Sequence, residues 1–399
     1  MNDIEITLSK MCDRFSSGKG INASKIKVND KYPVFGGNGI RGYTDTYNFD
    51  GECAIIGRQG ANCGNVIYFK GKGYMTEHAI IACAKSEYST GYLAYKLKLM
   101  NLKQYQGQSA QPGLSVNTLS NIKVNLPKLI IQKKVFNILN LLDSKIELNN
   151  KINAELESMA KTIYDYWFLQ FEFPNEEGKP YKSSGGKMIW NEELKREIPE
   201  GWETKRLSDI EPNIITGKTP STKNENYYNG NIPFITISDV RKNMFIVNTE
   251  QTLSEEGAKT QEKKYIPEDA LCVTCIASPG LVAFSTKLSQ TNQQINSIIF
   301  EKNYNKLYLY YYLKNYFKYT TGAKTGNTFA NMNKEDFSRI LVLYPKTKLL
   351  TLFQDKTLSL IKLIKKNTIE NQELTALRDF LLPLLMNGQV GFKEDKAEG

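Results

Sequence analysis

The sequence predicts an α+β protein in which one plan is used twice: a mixed α/β block followed by a long helix, then a second block and a second helix. Three observations predict it. The first is an internal repeat. When Leu126-Pro127 is laid over Tyr344-Pro345, an offset of 218, the stretch that follows aligns without a gap. Leu142, Asn149, Leu156 and Ile163 then fall on Leu360, Asn367, Leu374 and Leu381, seven residues apart in each copy. Upstream, Tyr92-Leu-Ala-Tyr-Lys-Leu-Lys98 matches Tyr308-Leu-Tyr-Tyr-Tyr-Leu-Lys314 at an offset of 216, and Ser17-Gly18-Lys19 answers Thr216-Gly217-Lys218 at 199. Two copies are too few for a solenoid, so a pseudo-symmetric pair is the better reading. The second observation is a change of period, from short apolar runs broken by glycine to a stripe at helical spacing. The third is a Pro- and Gly-rich stretch between the copies.

Residues 1–127 form the first block. Cys53-Ala-Ile-Ile56, Val66-Ile-Tyr-Phe69 and Ala79-Ile-Ile-Ala-Cys83 suit strands separated by glycine turns. Residues 88–104 suit a helix with Leu93, Leu97 and Met100 on one face. From 128 to 170, Leu139, Leu142, Ile146, Asn149, Ile152, Leu156, Met159 and Ile163 recur at steps of three and four, without Pro or Gly across the stripe. This predicts a coiled-coil helix roughly 60 Å long, at 1.5 Å per residue. It cannot bury its stripe alone. The repeat supplies a partner in residues 346–389, where Leu360, Ile364, Asn367, Leu374, Leu377, Leu381 and Leu384 line one side. The expected seam is Leu142, Ile146, Asn149, Leu156 and Ile163 against Leu360, Ile364, Asn367, Leu374 and Leu381. Asn149 and Asn367 either lie in it and set its register or face a partner. Residues 171–200 read as a linker, 201–345 as the second block, and 390–399 as a disordered tail.

A net charge of +10 favours a polyanionic partner, above all nucleic acid. No apolar run reaches the ~18–20 residues that cross a membrane, and the N-terminus does not read as a signal peptide, so a cytoplasmic protein is expected. Six cysteines in 399 residues are not a disulfide framework.

Most catalytic motifs fail on inspection. Gly37-Asn-Gly-Ile-Arg-Gly42 spells a dinucleotide fingerprint, but the sequence after it is β-like rather than helical. Phe35-Gly-Gly-Asn-Gly39 has the form of an adenine methyltransferase cofactor loop, yet the chain has no Pro-Pro to build the companion base-holding motif. Gly217-Lys-Thr219 ends like a phosphate loop, but Pro212 stands where its first glycine belongs. Cys272-Val-Thr-Cys275 is a lone pair and His78 the single histidine, which argues against zinc and against histidine-dependent nucleophilic catalysis. No catalytic, metal or cofactor residue is expected.

The richest polar stretch is Gly57-Arg-Gln-Gly-Ala-Asn-Cys-Gly-Asn65, which suits either a polar hairpin loop or a DNA contact. Arg58, Gln59, Asn62 and Asn65 can each offer paired hydrogen bonds to base edges, with Arg suited to guanine and Asn or Gln to adenine. Arg41, Lys70, Lys72, Gln108 and Gln111 lie near in sequence. The corresponding candidates in the second block are Lys218, Thr219, Lys223, Asn224, Arg241, Lys242, Gln293, Gln294, Lys324 and Asn327. Lysines in this set would grip phosphate and add salt-dependent affinity without reading sequence.

Together these segments resemble the specificity subunits of Type I restriction–modification systems. Tyr32-Pro-Val-Phe-Gly-Gly-Asn-Gly-Ile-Arg-Gly-Tyr43 and Ile56-Gly-Arg-Gln-Gly-Ala-Asn-Cys-Gly64 resemble the core of a target recognition domain. Leu126-Pro127 with its helix, Pro180-Tyr-Lys-Ser-Ser-Gly-Gly186, Ile198-Pro-Glu-Gly-Trp202 and Leu381-Leu-Pro-Leu-Leu-Met-Asn-Gly388 resemble the conserved regions and the C-terminal signature. The first block lacks an Ile-Pro-x-Gly-Trp lead-in, so its first strand is expected to be short.

The resemblance implies two target recognition domains held apart by two antiparallel coiled-coil helices. It implies a non-catalytic subunit that reads an asymmetric bipartite site in double-stranded DNA. Two adenine-N6 methyltransferase subunits and ATP-dependent restriction subunits would be its partners, with S-adenosylmethionine, ATP and Mg on those subunits. The rival readings are a specificity subunit for modification only, a catalytic methyltransferase, and a coiled-coil scaffold that does not bind DNA.

Overall fold

The two seven-residue stripes fold as the helices Leu129–Tyr164 and Thr347–Met386 of the computed structural model, which describes residues 4–60, 63–107, 113–322 and 331–392. The first helix, free of Pro and Gly, runs on into a π turn at Asp165–Leu169. The second tolerates Pro383 because it falls in the final turns, and it stops at Gly388, whose φ of 66° opens the left-handed region that ends helices. Asn62, Gln108, Gln111, Lys324 and Asn327 lie outside the described residues.

The chain forms two compact units whose limits fall within the helices: Met1–Ile146 with Glu373–Gly399, and Glu147–Gln372. Each unit thus contains one block and a part of both long helices. Within each unit the helical parts run antiparallel. In the first, Asp143 meets Arg378 at 2.7 Å and Lys134 lies over the ring of Phe392. In the second, Asn149 bonds to Asn371 and Asn367 to Asn153.

The seam differs in part from the sequence expectation. Asn149, Ile364 and Asn367 are buried, and Leu142, Ile146, Leu156, Ile163, Leu360, Leu374 and Leu381 are half-buried, as expected of seam positions. Ile152, Met159 and Leu377 face outward instead, Met159 at 53% exposure. Their places are taken by Asn153, Ala160 and Arg378, each one residue further on. Burial over 139, 142, 146, 149, 153, 156, 160 and 163 then follows strict steps of three and four.

The first block holds a six-stranded sheet in the order Cys12–Ser17, Ala79–Ala84, Phe49–Gly57, Val66–Met75, Tyr32–Gly36, Gly39–Thr44. The second divides the same plan. Ile214–Thr216, Ile295–Ile298, Leu271–Thr274, Val282–Ser285 and Phe245–Ile246 form one sheet, and Gln251–Leu253, Tyr228–Ile235 and Gln290–Thr291 another. Both keep a parallel pairing at the same point, Phe35 with Met75 and Ile235 with Thr291. Each block is closed by its first and last strands, Ile4–Thr7 on Lys123–Leu126 and Glu203–Arg206 on Leu341–Tyr344. The two opening strands are both four residues long, so the first is not shortened relative to the second.

In the first block, Ser89 caps the helix Thr90–Leu99 by accepting from the Tyr92 amide. Gly91 is required there, because a Cβ would lie 2.2 Å from the ring of Phe136 on the long helix. The core of this unit joins Leu8, Met11, Tyr92, Leu93, Leu97 and Leu126 to Leu382, Leu385 and Met386 from the end of the second helix. In the other unit, Tyr164, Trp167 and Phe168 hold the repeat-equivalent positions and enter a core with Trp202, Tyr308 and Phe353. Phe168 sits 4.9 Å from Tyr308 and 5.0 Å from Phe353 between ring centroids. Such edge-on aromatic contacts add about 0.5–1.5 kcal/mol each beyond area burial.

The stretch 171–200 is folded onto this core. Phe171 and Ile198 are buried, Phe173 stacks between Tyr181 and Trp202, and Met188–Asn191 pairs with Arg196–Pro199. Among the described residues, no helix is long and apolar enough to cross a membrane.

Candidate nucleic-acid interface

The described residues of the polar glycine run in the first block lie between two paired strands, Phe49–Gly57 and Val66–Met75, which meet at Ile56 and Val66. Gly60 and Gly64, at φ 87° and 85°, supply the left-handed positions that close it. Arg58 is fastened on three sides. Its amide donates to the His78 carbonyl at 2.9 Å, its carbonyl accepts from the Leu114 amide at 2.9 Å, and its Nε donates to the Leu114 carbonyl at 3.2 Å. Gln59 and Asn65 are exposed beside it.

Two other segments meet this turn, and a third reaches it through one of them. The strand turn carrying Gly37-Asn38 lies against it so closely that a Cβ on Gly37 would come 2.8 Å from the Gln59 carbonyl oxygen. The fingerprint Gly37–Gly42 is therefore a two-residue turn and the start of the strand Gly39–Thr44 that follows Tyr32–Gly36, not a helix N-terminus. Arg41 is exposed on the second of these strands and folds back over Gly36. The connection at residues 76–78 is joined to the turn through the His78 carbonyl. The Gly18-Lys19 corner is joined to that connection in turn, with the Gly18 amide on the Ala79 carbonyl and the Lys19 amide on the Met75 carbonyl.

Lys70 and Lys72 are not part of this cluster. They stand mid-strand opposite Glu52 and Asp50, paired at 2.6 and 3.9 Å, and Lys72 also lies over the Tyr47 ring. Exposed pairs of this kind contribute little to stability, about 0–1 kcal/mol, but the acids offset charge that would otherwise draw phosphate.

The second block places its candidates less evenly. Lys218 is exposed at the corner equivalent to Lys19, and the Thr219 hydroxyl donates to Oε1 of Gln293. Gln293 is exposed, while Gln294 is half-buried and its Oε1 accepts from Asn292 at 2.9 Å. Arg241 donates to the Ser278 hydroxyl at 3.3 Å. Lys242 pairs with Glu250 at 2.8 Å and holds that carboxyl below the usual range. Asn224 has a local duty, accepting from the Asn226 amide at the head of the short turn Glu225–Tyr227, with Lys223 exposed before it.

The structural counterpart of the Arg58 turn in this block is the loop at residues 275–280, which sequence reading missed. The Cys275 amide donates to the Gln294 carbonyl, and the Cys275 carbonyl accepts from the Met332 amide, as Arg58 does with His78 and Leu114. This loop offers Ile276, Ala277, Ser278 and Pro279, with no basic or amide side chain to mark it. Its strand-to-Gly280 spacing is the only signal that could have found it. Cys272 and Cys275 are buried thiols, pushed up to about 12 by burial, and among the described residues no cluster suits a metal ion.

Comparisons with known proteins agree with this plan. Residues 4–158 and 199–378 match the family described as the Type I restriction modification DNA specificity domain. The chain is 34% identical over 330 residues to the specificity subunit of the Type I restriction enzyme HindI of Haemophilus influenzae, covering 70% of this chain and 71% of that one. It is 26% identical over 385 residues to the MjaIX specificity subunit of Methanocaldococcus jannaschii, covering 89% and 86%. The fold resembles that of a Type I restriction–modification S subunit from M. genitalium, with a TM-score of 0.64 at 16% identity over 96% of each chain.

Proposed function

The chain belongs to the Type I restriction–modification DNA specificity family, and we propose that it is the non-catalytic, sequence-reading subunit of such a complex. It recognises an asymmetric bipartite site in double-stranded DNA. One observation carries this reading: the loop cluster is built on the same backbone hydrogen bonds in both blocks, while the side chains it displays differ. A repeated scaffold suits the local dyad of B-DNA. Different side chains on it call for different half-sites, and the helices between the blocks call for an unread gap between them. The net charge of +10 supplies the phosphate attraction on which such binding rests.

Methyltransferase subunits dock on the long helices. Ile152, Met159 and Tyr166 are exposed at seven-residue intervals, with Leu148 beside them, and a helical partner would bury such a stripe. Those subunits carry S-adenosylmethionine and flip adenine for N6 methylation. Restriction subunits with ATP and Mg complete the assembly.

The test is genome-wide mapping of N6-methyladenine in a host expressing this chain with its methyltransferase, against a host lacking only this chain. A bipartite motif that depends on the chain is expected. Methylation unchanged by its removal would overturn the reading.

A further inference from the structure

The two blocks share a second loop beside the Arg58 turn and its counterpart. In the first block the Gly18 amide donates to Ala79 and the Lys19 amide to Met75, four residues earlier. In the second, the Gly217 amide donates to Ile295 and the Lys218 amide to Thr291, again four residues earlier. The spanned connections close alike, Ala79 amide on Thr76 carbonyl and Ile295 amide on Asn292 carbonyl. Their first amides are held alike, Thr76 by Phe35 and Asn292 by Ile235. Neither corner has room for a side chain. A Cβ on Gly18 would lie 2.1 Å from the Met75 oxygen, and one on Gly217 would lie 2.2 Å from the Thr291 and Asn292 oxygens.

On this common frame the chemistry diverges. The corner lysines, Lys19 and Lys218, are the same and exposed. The spanned residues are not: Thr76-Glu77-His78 stands where Asn292-Gln293-Gln294 stands. His78 keeps its side chain 40% exposed, with Nε2 3.2 Å from Glu77 Oε1, and exposed Gln293 is steadied by Thr219. The neighbouring loop changes in the opposite sense. It carries Arg58 and Gln59 in the first block, but Cys275 and Ile276 in the second. A block without basic or amide side chains on one loop must read from another.

We propose that residues 76–78 and 292–294 are equivalent specificity-determining segments, in which His78 and Gln293 face base edges while Lys19 and Lys218 grip the adjoining phosphates. The inference deepens the DNA-reading function proposed above and rests on it. A fixed cation beside a variable amide or imidazole separates the two tasks of a DNA contact, positioning on phosphate and reading of bases.

The experiment uses the full chain assembled with its methyltransferase. N6-methyladenine is mapped for His78→Ala and His78→Gln, and binding of Lys19→Ala is measured against salt. The His78 variants are expected to change or relax one or two positions in a single half-site, leaving the other half-site and the spacing intact. Lys19→Ala is expected to keep the motif, weaken binding to all sequences alike, and lower the slope of log affinity against log salt by about one. An unchanged motif in both His78 variants, or an unchanged salt slope in Lys19→Ala, overturns the proposal while the broader function stands. Loss of both half-sites together marks the segment as structural and overturns it too. If the unaltered chain confers no motif, the function itself fails and this inference with it.

Discussion

Asn149 donates its side-chain amide to Asn371 at 2.9 Å, and the internal repeat maps this bond onto a second one, from Asn367 to Asn153, also 2.9 Å. An offset of 218 carries Asn149 to Asn367 and Asn153 to Asn371. Each helix therefore plays donor once and acceptor once, as two antiparallel copies must when a two-fold exchanges them. Asn149 is 1% exposed and Asn367 6%, so neither amide is a surface decoration. Buried amides cost stability in an apolar seam but are satisfied only in one register.

Removal of either amide takes one donor from a half-buried acceptor, Asn371 or Asn153. Asn149→Ala and Asn367→Ala should each cost about 1–3 kcal/mol in chemical denaturation. Asn149→Ala should cost more, because its amide also donates to Glu370 at 2.9 Å. A silent Asn367→Ala beside a damaging Asn149→Ala would break the symmetry argument.

The first unit anchors its block to the helices by charge. Tyr95 donates to Asp143 at 2.6 Å, and Asp143 meets Arg378 at 2.7 Å. The repeat-equivalent residues of the other unit are Tyr311, Ile361 and Ala160, which pack in its apolar core. Asp143→Ala takes one of two carboxylates from the Arg378 guanidinium, which is only 17% exposed and keeps Asp379 at 2.7 Å, and should cost about 1.5–3 kcal/mol. Asp143→Ile with Arg378→Ala installs the second unit's residues and should recover most of that loss. A double variant no more stable than Asp143→Ala alone would show that the pocket cannot adopt the apolar packing.

How far these features are legible in sequence depends on whether hydropathy marks them. Leu156 and Ile163 are apolar and seven apart, as are Leu374 and Leu381, so the helices and much of the seam can be read directly. Asn153 and Asn371 escape because a polar seam residue has no hydropathy signal, while Ile152 and Met159, one position away, attract the count. Lys70 and Lys72 look like free cations because Glu52 and Asp50 become their neighbours only when the strands pair. The loop at 275–280 is invisible because its role lies in backbone hydrogen bonds, which small and apolar residues make as well as any.

The half-site readout should separate the turn from the strand. Arg58→Ala should relax one half-site, since it removes both a guanidinium and its bond to Leu114. Lys70→Ala and Lys72→Ala, each relieving a cross-strand pair, should leave the methylation motif unchanged. A motif altered by Lys70→Ala with Arg58→Ala silent would invert the assignment.

Acid should loosen the second unit through Asp269. Burial pushes this carboxyl up, but Lys365 at 2.9 Å and Lys306 at 3.2 Å outweigh that and hold it below the ordinary range. A lowered folded-state value means stability that is present above the unfolded value, about 4, and is lost as pH falls through it towards the folded one. Asp269 sits at φ 61°, a conformation Asn tolerates, so Asp269→Asn tests the charge without straining the turn. In urea titrations the variant should be less stable than the parent at pH 7, by a deficit that shrinks as pH falls to 3. An equal deficit at both values would assign the effect to packing instead.

The end of each long helix belongs to the core of its unit, and the last turns of the second helix give the sharpest test. Leu385 is buried among Leu8, Leu93 and Leu126, residues at the other end of the chain. Its repeat counterpart in the other unit is Trp167, buried by Phe168 and Phe353. Leu385→Ala leaves a cavity and should destabilise the first unit by about 2–4 kcal/mol. Hydrogen exchange should report it locally: amides of Thr90–Leu99 should lose protection, while those of Lys306–Gly322 should keep theirs. Trp167→Ala should produce the mirror pattern. If either substitution released both helices equally, the two units would be a single cooperative body, and the assignment of each helix end to one core would fail.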